Sequence, residues 1–221
     1  MQCSTHLWAV YTGRMVSPLP PNKHREKSLR TRATLLDAAV ESLAEVGYGG
    51  ASIADITARA GVTRGAQLHH FHTREQLFAQ TIGHLTQRQR EALRRRLRTL
   101  PVACTGGAVL VELVTATFAG KLGKASVELY VGIANDRVLR REMLRAQHDL
   151  TVELLAACTD RIDPGIDSAR IESAFWMTIN LVRGTTLDEM VGRDRLRRKQ
   201  VLADWTELAE LALHRDPERR D

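Results

Sequence analysis

Residues 61–78 read Gly-Val-Thr-Arg-Gly-Ala-Gln-Leu-His-His-Phe-His-Thr-Arg-Glu-Gln-Leu-Phe, and their punctuation decides the local fold. Gly61-Val62 halts one helix, and the Thr63 hydroxyl is placed to cap the next, which runs to about Phe71. Thr73 stands three residues before Gln76, the spacing at which two side chains can each serve an exposed backbone N–H at a helix start. A further helix therefore opens there. Its apolar positions are Leu77, Ile82, Leu85 and Leu93, and Arg94-Arg95-Arg96 near its end complement the helix dipole.

Upstream the same grammar recurs. Ser52 precedes Asp55 at capping spacing, and the helix it opens carries Ile53, Ile56 and Ala60 on one side before stopping at Gly61. Before it, from Leu29 onward, Leu36, Val40, Leu43 and Gly47 recur at helical spacing, and the run ends at Gly47-Tyr48-Gly49-Gly50. Two short helices joined by a tight turn containing glycine form a helix-turn-helix, the arrangement that lays its second helix in the DNA major groove. That second helix begins with a cation beside small residues, Arg64-Gly65-Ala66, which suits close approach to base edges.

The charge distribution agrees. The 221-residue chain has a formal net charge of +6, with 32 Lys and Arg against 26 Asp and Glu. Residues 23–100 hold fourteen basic and seven acidic side chains, whereas residues 101–221 hold seventeen and nineteen. The excess that favours an anionic partner belongs to the first half. Hydrophobic residues make up 43% of the chain, enough for a core without disulfides or metals. Cys3, Cys104 and Cys158 form no CxxC pair, which fits a reducing compartment, and no secretory signal or membrane span is expected. The apolar stretch Ala108–Gly120 is far below the roughly 20 residues a spanning helix needs, and a cytoplasmic location follows as the expectation.

Residues 1–22 end in Ser17-Pro18-Leu19-Pro20-Pro21-Asn22, read as an extended, flexible arm, and Met15 is an alternative start. Beyond Pro101 only helical spacing of apolar residues is visible. Helices are expected at about 106–120, 122–134, 136–161, 166–190 and 193–213, with no alternating strand pattern. The fold class is all-α: residues 23–72 form a DNA-binding domain, and residues 73–221 a second helical domain.

Residues 30–82, and above all the stretch 61–78, resemble the DNA-binding domain of the TetR family of transcriptional regulators. Weaker likeness continues through Val-Glu-Leu-Tyr-Val-Gly-Ile-Ala-Asn-Asp-Arg-Val-Leu-Arg-Arg-Glu-Met at 127–143 and Leu-Val-Arg-Gly-Thr-Thr-Leu-Asp-Glu-Met at 181–190. The resemblance implies a dimeric, all-helical repressor that binds a double-stranded DNA operator and is released from it by a small molecule. Arg64 would donate to guanine, and Gln67 to adenine if it faces the groove. Ser52, Thr63, His69, His70 and Arg74, with Gly65 and Ala66 giving close approach, would hold phosphates or the groove wall. Family members more usually carry leucine and then tyrosine at the positions of Gln67 and Leu68. Either Leu68 is buried and Gln67 exposed on a slightly rotated helix, or Gln67 is a satisfied polar residue at the domain seam.

The second domain is expected to hold a mostly apolar ligand among Phe118, Leu122, Leu129, Tyr130, Ile133, Trp176 and Met177, with His148 and Asn180 as polar groups to orient it. Ordinary core packing is the simpler account of each of these residues. The stripes Phe175, Ile179, Val182, Met190 and Leu196, Val201, Trp205, Leu208, Leu211 or Leu213 would pair the last two helices of two chains, or close the core of one. His69, His70 and His72 form no convincing zinc site, since no cysteine lies near and Glu75 is the one local carboxylate; neither metal nor cofactor is expected. No catalytic constellation stands out, so an all-helical enzyme is the remote alternative. A DNA-binding dimer without small-molecule control is the nearer one, and it predicts a filled core where ligand control predicts a cavity.

Overall fold

The computed structural model describes residues 23–192 and 195–214, and the arm at 1–22, with Cys3 and Met15, lies outside them. The described residues form an all-α chain: α1 (Lys23–Gly50), α2 (Ile53–Arg59), α3 (Arg64–His70), α4 (Arg74–Thr99), α5 (Gly106–Thr117), α6 (Gly120–Gly132), α7 (Arg137–Thr159), α8 (Ser168–Met190) and α9 (Arg195–His214).

The three caps read from sequence form. Ser52, Thr63 and Thr73 each accept a hydrogen bond from the backbone N–H three residues on, at 3.1, 3.2 and 3.1 Å. The reciprocal half of the Ser52 box is absent, because the Asp55 carboxylate turns instead to Ser42 Oγ at 2.8 Å and Arg59 Nε at 2.9 Å. Those two bonds, Ser42 first, hold the Asp55 carboxyl below its usual range. Gly47, at φ +74°, breaks the helical path within α1, where a side chain would be strained. Leu36, Val40 and Leu43 are buried as the periodicity requires, but Leu29 is 57% exposed, because the first turns of α1 project past the core.

Two hydrophobic clusters result. One joins α1 to α4 through Leu35, Leu43, Ile56, Phe71, Phe78 and Leu85, and reaches Leu129 and Ile133 at α6 and Met143 on α7. The other gathers Leu93, Leu113, Phe118, Leu154, Phe175 and Val182. Where α4 passes from the first cluster to the second it buries Thr86 and Gln89, and where α7 does so it buries Gln147. A polar belt thus separates the two cores. Gly107 lets α5 meet α9 closely, since a Cβ there would overlap the Thr206 carbonyl. The Cys158 thiol is buried and pushed up to about 12, so at neutral pH it packs as a small apolar group.

The apolar stripe of α8 follows the second of the two readings that its spacing left open. Phe175, Ile179 and Val182 close the core of the chain itself, and Leu213 of α9 joins them in burial. Trp205 is half-buried and donates to Thr178 Oγ1 at 2.8 Å. The outward face holds Trp176 at 42% exposure, with Met177, Leu187, Leu196, Leu208 and Leu211 also exposed. Among the described residues no single helix is long and apolar enough to cross a membrane; α5 and α6 qualify together by composition, but meet at 75°.

Candidate nucleic-acid interface and effector cleft

α3 owes its orientation to two anchors. Phe71, at its C-terminal cap, is buried against the first core cluster, and Gln67 is buried with its side-chain amide donating to the Phe71 carbonyl. Of the two readings open for Gln67, this arrangement agrees with the satisfied polar residue at the seam: its donor is spent inside the domain. Leu68 is the exposed neighbour, at 42%, and sits with Arg64 in a groove of about 610 Å³ between α2 and α3. Sequence alone left that pair unresolved, and Leu68 is the outward residue that it did not single out.

Arg64, Gly65 and His69 are exposed, with Thr63 and Ser52 beside them at the helix starts. His70 is half-buried, its ring 5.1 Å from that of His69. Burial first, then the neighbouring His69 and Arg32, holds its pKa below the ordinary value. Arg74 turns inward. Its guanidinium lies 4.3 Å from the Tyr48 ring centre and 4.5 Å from that of Phe78, and donates to the carbonyls of Tyr48 and Ala51. It clamps the turn between α1 and α2.

Tyr48 is in turn held by α6. Glu128 accepts the Tyr48 backbone N–H at 3.0 Å, and Gly132 leaves room for the ring, which a Cβ would overlap. On another face of α6, Ser126 and Tyr130 line a small cleft with Phe118 from the end of α5 and Arg183 and Thr186 from α8. The cleft is nearly closed, at about 10 Å³, far below the roughly 300–1,000 Å³ of a ligand pocket. Arg183 donates to the Tyr130 hydroxyl at 3.2 Å and lies over the Phe118 and Tyr130 rings at 5.8 and 5.1 Å. Burial raises the Tyr130 pKa, and the charge on Arg183 opposes the rise. Gln89 donates to Ser126 Oγ at 3.0 Å. Gln89 Oε1, Arg183 Nε and both polar atoms of the Gln147 amide are buried without a hydrogen-bond partner.

Of the ligand residues expected from sequence, only Phe118 and Tyr130 meet in this cleft. Leu122, Leu129 and Ile133 pack with the first core cluster instead. His148, Trp176, Met177 and Asn180 are exposed, because they lie on faces of α7 and α8 turned away from the core. Arg183 and Gln89 were not marked by spacing, since an arginine or glutamine on an amphipathic helix ordinarily reads as solvated surface.

A basic first half, a capped two-helix reader with an exposed arginine at its start and a separate helical body define a helix-turn-helix DNA-binding regulator. Residues 35–81 match the family model for bacterial regulatory proteins, tetR family. The HTH-type transcriptional regulator CymR of Pseudomonas putida is 30% identical over 188 residues, covering 83% of this chain and 91% of CymR. The chain belongs to the TetR family. BetI of Escherichia coli is 40% identical over 75 residues, which cover 34% of this chain and 38% of BetI. Among solved structures, a TetR-family regulator from Cytophaga hutchinsonii aligns with a TM-score of 0.66 at 17% identity, covering 86% of this chain and 98% of that one. The multidrug binding protein EbrR, complexed with imidazole, aligns at 0.56 and 18% identity, over 86% of this chain and 98% of its own. These two share the fold.

Proposed function

We propose that this transcriptional regulator is a dimeric repressor whose grip on its operator is released by a small molecule bound in the second domain. Residues 23–72 read DNA and residues 73–221 sense and dimerise. The carrying observation is α6, which lines a cleft with unpartnered buried polar atoms on one face and holds the Tyr48 turn on another. Arg64 reads guanine, Leu68 touches a thymine methyl, and Ser52, Thr63, His69 and His70 position the phosphate backbone, with Gly65 and Ala66 permitting close approach. The exposed face of α8 and α9, Trp176 to Leu211, supports pairing with a second copy, which would set two recognition helices about 34–36 Å apart on half-sites.

Release requires that the ligand prefer the conformation that cannot bind DNA. A second reading, a DNA-binding dimer without small-molecule control, is favoured by the closed cleft of about 10 Å³. Fluorescence anisotropy with DNA from beside the protein's own gene, excess competitor DNA and stated salt separates the two once small molecules are added. Specific binding that a compound reverses supports ligand control; specific binding indifferent to every compound supports the second reading.

A further inference from the structure

Arg59, Arg88, Arg90, Arg96 and Arg198 each pair with a carboxylate. Arg74 and Arg161, like Arg183, lack a carboxylate partner among the described residues, but backbone carbonyls accept from both, whereas Arg183 keeps a buried Nε that nothing accepts from. Arg183 is held by two aromatic rings and a tyrosine hydroxyl, its Nε is buried without a partner, and among the described residues no carboxylate lies within ion-pair distance. A guanidinium stays charged at any physiological pH, and a partly desolvated charge is costly unless an opposite charge meets it. Among the described residues no acidic side chain lines the cleft, which leaves the guanidinium open to an anion bound there.

We propose that the cleft between α5, α6 and α8 takes the carboxylate of a small organic acid with an apolar body, Arg183 supplying the anion-binding fork. The proposal rests on the ligand-controlled reading above and names its ligand class. A carboxylate matches the planar fork through two parallel N–H···O bonds, and one cation balances one negative charge. Phe118, Val127 and the Tyr130 ring offer the apolar body its walls. The unpartnered Gln89 Oε1, behind Ser126, gives a further polar position at the edge of the belt.

The closed state explains how occupancy is felt at the DNA end. Gly123 brings α6 so close to the end of α5 that a Cβ there would overlap the Phe118 carbonyl. An acid of even six carbons cannot enter about 10 Å³ without α6 parting from Phe118 and α8. The same helix carries Glu128 and Gly132, and the Tyr48 they seat lies beneath Arg74, at the start of the helix that follows the reader. Entry of the acid breaks the Arg183–Tyr130 hydrogen bond and displaces the seat of the α1–α2 turn.

Isothermal titration of the full chain with octanoate and phenylacetate, each beside its neutral carboxamide at one fixed salt, tests the assignment. The acids should bind saturably, one per chain, with at least tenfold preference over the amides, and Arg183→Gln should erase that preference while Arg183→Lys keeps part of it. A loss of packing alone would weaken acid and amide alike. Amides that bind as tightly as acids, absence of saturable binding by both acids, or a preference that survives Arg183→Gln overturns it. Should the glutamine variant fail to melt cooperatively, the preference of the unmodified chain and of Arg183→Lys still decides. DNA release is scored separately. Acid binding without release upholds the site and contradicts ligand control; release by neutral compounds alone upholds ligand control and overturns the role of Arg183.

Discussion

Glu128 on α6 accepts a hydrogen bond from the backbone N–H of Tyr48, eighty positions earlier in the chain, at 3.0 Å. With the close approach of Gly132 to the Tyr48 ring, this bond ties the turn before α2 to the helix that lines the Arg183 cleft. Glu128→Ala leaves a part-buried N–H unpaired, at a cost of about 1–3 kcal/mol, whereas Glu128→Gln keeps an acceptor and should lose less. Chemical denaturation checks both, and two variants indistinguishable from the unmodified protein would show that the bond holds nothing.

Gln67→Leu should leave the preferred DNA sequence unchanged. The side chain is buried and bonded to the Phe71 carbonyl, so the variant loses about 1 kcal/mol of stability but no base contact. Selection of binding sites from a random DNA pool reads this directly; a shift of preference at one base position would restore Gln67 to the reading face.

Arg74→Ala removes two carbonyl hydrogen bonds and stacking on Tyr48 and Phe78, and should destabilise the chain by about 2 kcal/mol or more. Its salt dependence of DNA binding should match that of the unmodified protein. A phosphate contact would instead lower the log–log slope by about 0.9.

The caps at Ser52, Thr63 and Thr73 were legible because a hydroxyl three residues before a backbone donor has one economical use, and the gap between the helices expected at 136–161 and 166–190 because Asp163-Pro164-Gly165 does not continue a helix. The phase of α3 was not legible. Seven residues make two turns, and a glutamine can be buried as readily as a leucine once Phe71 offers it a carbonyl. On α8, apolar residues occupy two faces, Phe175 and Val182 inward, Trp176 and Leu187 outward. Spacing cannot say which face meets its own core and which a second chain. Arg183 escaped notice because its meaning lies in what it lacks, and a missing partner is visible only in three dimensions.

His70 titrates below its ordinary value of about 6.5, held down by burial, then by His69 and Arg32. As pH falls through about 6.5 the unfolded chain takes up this proton before the folded one does, so folding stability declines until the lower folded value is passed. Above that window His70 contributes no slope. His70→Gln should flatten the decline between pH 7 and 5 in urea denaturation series, and an unchanged decline would assign it to other groups.

The most direct measurement compares Arg64→Ala with the unmodified protein on its selected operator and on unrelated DNA, by anisotropy at one stated salt. If α3 reads bases through Arg64, the variant loses about 1–3 kcal/mol of specific binding, roughly five- to more than a hundredfold, while binding to unrelated DNA falls much less. Equal losses on both DNAs would reduce Arg64 to a phosphate contact and contradict the recognition role on which the account depends.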